Sequence, residues 1–126
     1  MNYSTVVVDD SHIHRVATSF LIKSHPQLDL KASFDCPLEG IRYAIEQQVD
    51  LIFLDVLYEE KDIFKIIEEL HLDIDIIFNS SWAHFQKETV RFSTSGFLKK
   101  PMRRLDFTEC VNKWIYQKEA KNHYII

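Results

Sequence analysis

Glycine is nearly absent from this chain: 126 residues contain two, Gly40 and Gly96. A glycine-rich loop that wraps phosphates at a helix N-terminus is therefore excluded, and with it a nucleotide-binding domain of that kind. Cysteine is equally sparse. Cys36 and Cys110 stand in dissimilar contexts, so they read as half-buried packing residues and not as a disulfide framework, which fits a cytoplasmic location. No apolar run approaches the roughly 20 residues that span a bilayer, so membrane insertion is not expected. The N-terminus lacks a basic stretch followed by an apolar core, so it does not read as a secretory signal. Basic runs are missing too, and the net charge is −4, which argues against direct nucleic-acid binding. Neither His12 nor His84 has metal-ligand spacing to another His or Cys. There is no repeat, linker or low-complexity tract. The expectation is one domain over residues 1–126, with a tail at 119–126 that has no clear partner.

What is present is a set of short apolar runs that end in charge. Hydrophobic residues make up 46% of the chain, enough for a packed core. Val6-Val7-Val8 runs into Asp9-Asp10, Leu51-Ile52-Phe53-Leu54 into Asp55, and Phe97-Leu98 into Lys99-Lys100-Pro101. Such runs read as buried parallel strands. Strands are expected at Tyr3–Val8, Leu28–Phe34, Leu51–Leu54, Ile74–Phe78 and Phe97–Lys99. Between them, helical periodicity predicts Ser11–Ser24 (Ile13, Val16, Ala17, Phe20 and Leu21 inward, Ser11 as N-cap) and Pro37–Gln48 (Leu38, Ile41 and Ile45 inward). Further helices are predicted over 62–71, over 82–93 and over Met102–Lys118, the last with Leu105, Phe107, Cys110, Val111, Trp114 and Ile115 inward. Strand–helix alternation predicts an α/β fold with right-handed crossovers and a five-stranded parallel sheet. Ligands bind such a sheet at the carboxyl ends of its strands. Asp9, Asp10, Asp55 and Lys100 are therefore expected in one pocket. Three carboxylates and an ammonium there can hold Mg²⁺ beside a phosphoryl group.

This arrangement resembles the receiver domain of two-component response regulators, over about residues 3–117. The resemblance rests on the acidic pair Asp9 and Asp10, on Asp55, on Ser80, and on Lys100 before Pro101. The stretches Ile76-Ile77-Phe78-Asn79-Ser80-Ser81-Trp82 and Gly96-Phe97-Leu98-Lys99-Lys100-Pro101 are most similar to the LytTR-type branch. The resemblance implies a flavodoxin-like (βα)5 three-layer sandwich. It implies that Asp55 accepts a phosphoryl group from a sensor histidine kinase or phosphotransfer protein. Mg²⁺ would be held by Asp10 directly, by Asp9 through water, by Asp55 and by the Leu57 carbonyl. Lys100 would pair with Asp55 and then with the phosphoryl group; Lys99 is its competitor, facing the other way by strand alternation. Ser80, with Ser81 one residue on, would donate to a phosphoryl oxygen.

Phe97 occupies the place of an aromatic switch, and core packing explains it equally well. Leu57 and Trp82 would flank the path of hydrolytic water and exclude it, leaving a long-lived phosphorylated form. The Lys100–Pro101 bond is expected to be cis. The implied role is a signalling domain limited to self-phosphorylation and autodephosphorylation. Its output would pass to a partner protein or a homodimer through the fourth helix, the fifth strand and the fifth helix. One departure stands out: Glu59 and Ile63 replace the Pro and Gly that relatives carry after the phospho-acceptor. That departure supports the alternative of a degenerate pseudo-receiver, an interaction module without phosphotransfer. A phosphatase using Asp55 would usually carry an acid two residues on, where this chain has Leu57.

Overall fold

The computed structural model describes residues 2–55, 74–80, 96–100 and 102–123. The expected helices over 62–71 and 82–93 lie outside them. So do Leu57, Glu59, Ile63, Ser81, Trp82, His84 and the Lys100–Pro101 bond.

The strands are β1 (Tyr3–Val8), β2 (Leu28–Phe34), β3 (Leu51–Leu54), β4 (Asp75–Ser80) and β5 (Gly96–Lys99). They form one parallel sheet in the order β2-β1-β3-β4-β5. The described helices are α1 (His12–Ser24), α2 (Pro37–Gln47) and α3 (Arg104–His123), the last being the fifth helix expected from the sequence. β3 is apolar at every position, and Val6–Val8 of β1 and Ile76–Phe78 of β4 continue that run beside it, because both faces of the sheet centre are covered. Val6, Val8, Ile52, Leu54, Ile76 and Phe78 pack with Ile41 and Ala44 of α2 on one face. Val7, Leu51, Phe53, Ile77 and Leu98 pack with Leu21 and Ile22 of α1 and with Phe107, Val111, Trp114 and Ile115 of α3 on the other.

Three helical faces differ from the periodicity reading. On α1 the buried residues are Thr18, Leu21 and Ile22, while Ile13, Val16 and Phe20 are 76%, 54% and 60% exposed. The buried face is thus turned by about one residue, roughly 100°, from the apolar stripe. The start of α1 explains the turn. Ser11 N donates to Asp9 Oδ1 at 2.9 Å, and Arg15 Nη1 donates to the Asp9 carbonyl at 2.8 Å. These bonds bind the first turns to the sheet edge and set the helix rotation. Ser11 is the N-cap, its Oγ accepting from His14 N. On α2, Leu38 and Ile45 are exposed and Gly40, Ile41 and Ala44 are buried. A Cβ at Gly40 would run into Val8 Cγ2, so the missing side chain lets α2 approach β1 closely. On α3, Leu105 is exposed and Cys110 half-buried.

The final helix also continues past Lys118 to His123. Glu119, assigned to the tail by sequence, accepts from Tyr3 Oη and Gln27 Nε2, each at 3.5 Å. Asp75 ties β4 to the same helix, accepting from Trp114 Nε1 at 2.8 Å and Lys118 Nζ at 3.0 Å.

Candidate functional site

Strand register brings the charged residues together. Val8 pairs with Leu54, Leu54 with Phe78 and Phe78 with Phe97. The residues that follow, Asp9, Asp55, Asn79 and Leu98, therefore form one row at the carboxyl edge of the sheet. The Asp55 N–H donates to the Val8 carbonyl at 2.9 Å and the Asp9 N–H to the Phe34 carbonyl at 3.0 Å. Both acidic residues are held by the strand ladder even though they lie just past their strands.

Lys100 completes the site. Lys99 is exposed and Lys100 buried, as strand alternation requires. Lys100 Nζ lies 2.8 Å from Asp9 Oδ2 and 3.2 Å from Asp55 Oδ2. These are charge contacts without good hydrogen-bond direction: among the described residues neither Oδ2 has a hydrogen-bond partner. Asp10 is exposed, yet carboxylate oxygens of Asp9, Asp10 and Asp55 lie within 4.8 Å of one another.

Burial of Asp55 among other acids has an electrostatic consequence. Loss of solvent raises its pKa most, Asp9 raises it further, Lys100 opposes both, and Asp10 adds to the rise; the result is about 7. A dication would relieve this strain. Among the described residues the donor set is all carboxylate oxygen, and two buried oxygens have no directed donor, which fits a hard cation such as Mg²⁺.

Of the other expected site residues, Phe97 is half-buried against the α2-side cluster. Ser80 is the last residue of β4, opposite Lys99; its side chain lies outside the described residues. His12 is exposed, with Nδ1 3.2 Å from Arg15 Nη2. Sequence reasoning missed Arg15, whose bond to a backbone carbonyl leaves no motif. It also passed over Asn79, a polar residue at the end of an apolar run, which was the one available signal.

A parallel sheet in the order 2-1-3-4-5, with an acidic row and a lysine at its carboxyl edge, is a known arrangement. This is the receiver-domain fold of response regulators. The response regulatory domain of MrkE from Klebsiella pneumoniae superposes with a TM-score of 0.80 at 22% identity, covering 93% of this chain and 98% of that one. The receiver domain of AraT, a response regulator from Geobacillus stearothermophilus, gives 0.79 at 21% identity, covering 97% and 99%.

Sequence comparison points the same way. The receiver-like chain is 25% identical over 111 residues to the sensory transduction protein LytT of Enterococcus faecalis, which covers 86% of this chain and 46% of LytT. It is 24% identical over 111 residues to the transcriptional regulatory protein YpdB of Escherichia coli K12, with the same two coverages. The chain thus spans about half the length of these curated relatives. No protein-family model matches it. No helix among the described residues is long and apolar enough to cross a membrane.

Proposed function

We propose that this receiver domain is a phosphorylation switch in which Asp55 is the acceptor. The observation that carries the reading is the meeting of Asp9 and Asp55 at Lys100 Nζ, at 2.8 and 3.2 Å, with Asp10 beside them. A carboxylate oxygen of Asp55 attacks the phosphorus of a phosphohistidine. The new O–P bond forms as the P–N bond breaks, and the imidazole leaves with the electron pair and takes up a proton. Mg²⁺, when bound by Asp9, Asp10 and Asp55, supplies the charge neutralisation that lets two anions approach.

Lys100 contributes a mobile point charge. It pairs with Asp55 at rest and follows the charge to the phosphoryl oxygens after transfer. Ser80, one residue past the row, offers its hydroxyl to the same oxygens. Asp9 is held by Ser11 and Lys100, so it orients the site while Asp10 stays accessible. We assign the donor to a sensor histidine kinase or phosphotransfer protein. The output, as a partner or a homodimer, takes the surface that includes β5 and α3. The whole of residues 1–126 serves as one domain in this reading, and LytT and YpdB supply the likeness to regulators of the LytTR type.

The test is intact-mass analysis with acetyl phosphate and Mg²⁺. Gain of one phosphoryl group by the wild type and none by Asp55→Asn is expected. Equal labelling of the Asn variant excludes Asp55, and no labelling of the wild type favours the pseudo-receiver.

A further inference from the structure

Asn79 is the third member of the row that holds Asp9 and Asp55, and phosphoryl chemistry alone does not call for it. It is buried, and its Nδ2 donates to Thr18 Oγ1 of α1 at 3.5 Å. Its Oδ1 is buried with no hydrogen-bond partner among the described residues. Buried amide oxygens nearly always have a donor, so an orphan in a polar row marks a place where a donor arrives. Topology identifies that donor. Asn79 pairs with Leu98, and Lys100, two residues further on and just past β5, continues the same alternation. The order of strands puts β4 between β5 and β3. Asp55 and Asp9, just past β3 and β1, lie on the far side of β4 from Lys100, and Asn79 is the β4 member of the row between them.

We propose that Asn79 Oδ1 is a second docking point for the Lys100 ammonium, occupied when a cation takes over the carboxylates. The inference rests on the metal-binding reading above. In the metal-free arrangement two carboxylates hold Nζ. A dication among the same carboxylates repels the ammonium and weakens its hold. Solvent is scarce there, because Lys100 is 8% exposed. A neutral acceptor in the same row lets the ammonium withdraw without losing all its partners. Thr18 orients the amide by taking its Nδ2, which leaves Oδ1 for the lysine. Asn79 is a positioning residue in this account: it acts on the site through Lys100.

The test is a double-mutant cycle on Mg²⁺ affinity, measured by calorimetric titration of the full chain. Asn79→Leu is expected to weaken Mg²⁺ binding about three- to tenfold when Lys100 is present, and to leave it unchanged in a Lys100→Met background. The Lys100 Cε–Hε resonance is expected to shift on Mg²⁺ saturation in the wild type and to shift less in Asn79→Leu. Should either variant fail to fold, Asn79→Ser and Lys100→Gln form a second cycle. An equal loss in both lysine backgrounds, or no loss in either, overturns the proposal while leaving the metal site intact. Absence of Mg²⁺ binding in the wild type overturns both.

Discussion

Lys100 sits closer to Asp9 than to the proposed acceptor: Nζ is 2.8 Å from Asp9 Oδ2 and 3.2 Å from Asp55 Oδ2. One ammonium therefore compensates two buried carboxylates. Removing it leaves both uncompensated, and breaking a buried ion pair from one side costs roughly 3–5 kcal/mol. Lys100→Met is expected to lower stability by about 3 kcal/mol at pH 8 in metal-free buffer. Urea denaturation measures it. The loss is expected to shrink at pH 5, below the raised pKa of Asp55, where that carboxyl is protonated and no longer needs the ammonium. An equal loss at both pH values shows that the lysine acts by packing alone.

Asp55 contributes to stability with a sign set by its raised pKa of about 7. The unfolded value is near 3.9. The folded state thus holds the proton more tightly, and stability is gained as pH falls from 8 through 7 toward 4. Above pH 7 the ionised, buried carboxylate destabilises in full. Asp55→Asn is accordingly expected to raise metal-free stability at pH 8 by about 1–2 kcal/mol, several degrees in Tm for a domain of this size. The gain should fade by pH 5. A scan of Tm against pH for both proteins checks it, and a variant that is less stable at pH 8 contradicts the origin of the shift.

Mg²⁺ should reverse that strain. Binding only to the folded state stabilises by about 2.7 kcal/mol at a hundredfold excess over Kd. Wild-type Tm is expected to rise with Mg²⁺ and return on chelation. Asp10→Asn, at an exposed position, is expected to leave the metal-free Tm nearly unchanged and to remove most of the rise. A full rise in that variant places the cation elsewhere.

The rotation of α1 makes a prediction opposite to its apolar pattern. Ile13 and Val16 are exposed and Ile22 is fully buried. Ile13→Ser and Val16→Ser are expected to change stability by less than about 0.5 kcal/mol each. Ile22→Ala is expected to cost about 2–4 kcal/mol. Denaturant midpoints decide between the two faces: large losses at Ile13 and Val16 would restore the face read from periodicity.

Close approach of α2 to β1 depends on Gly40. A Cβ there meets Val8 Cγ2, and overpacking of this kind costs about 1–3 kcal/mol. Gly40→Ala is expected to lower the unfolding free energy by that amount, read from denaturant titration, and Val8→Ala in the same chain to recover part of it. Additive losses from the two changes exclude a steric cause.

Much of this molecule is legible in its sequence because period and composition are local properties. The runs Tyr3–Val8, Leu28–Phe34 and Leu51–Leu54 are strands with the expected bounds. Their β-branched and aromatic content, and the charged residues that end them, are enough to place a parallel sheet with an acidic edge. Ser11 and Pro37 mark helix starts by hydrogen-bonding capacity and fixed φ. Tertiary contacts decided the rest. Which stripe of α1 is buried follows from the bonds of Ser11 and Arg15 to Asp9, and a pattern of apolar residues carries no record of them. The row of Asp9, Asp55 and Asn79 exists only once the strands are in register. Its electrostatics depend on burial and on distances of a few ångströms between residues up to 91 positions apart, and those are properties of the packed sheet edge, not of any one segment.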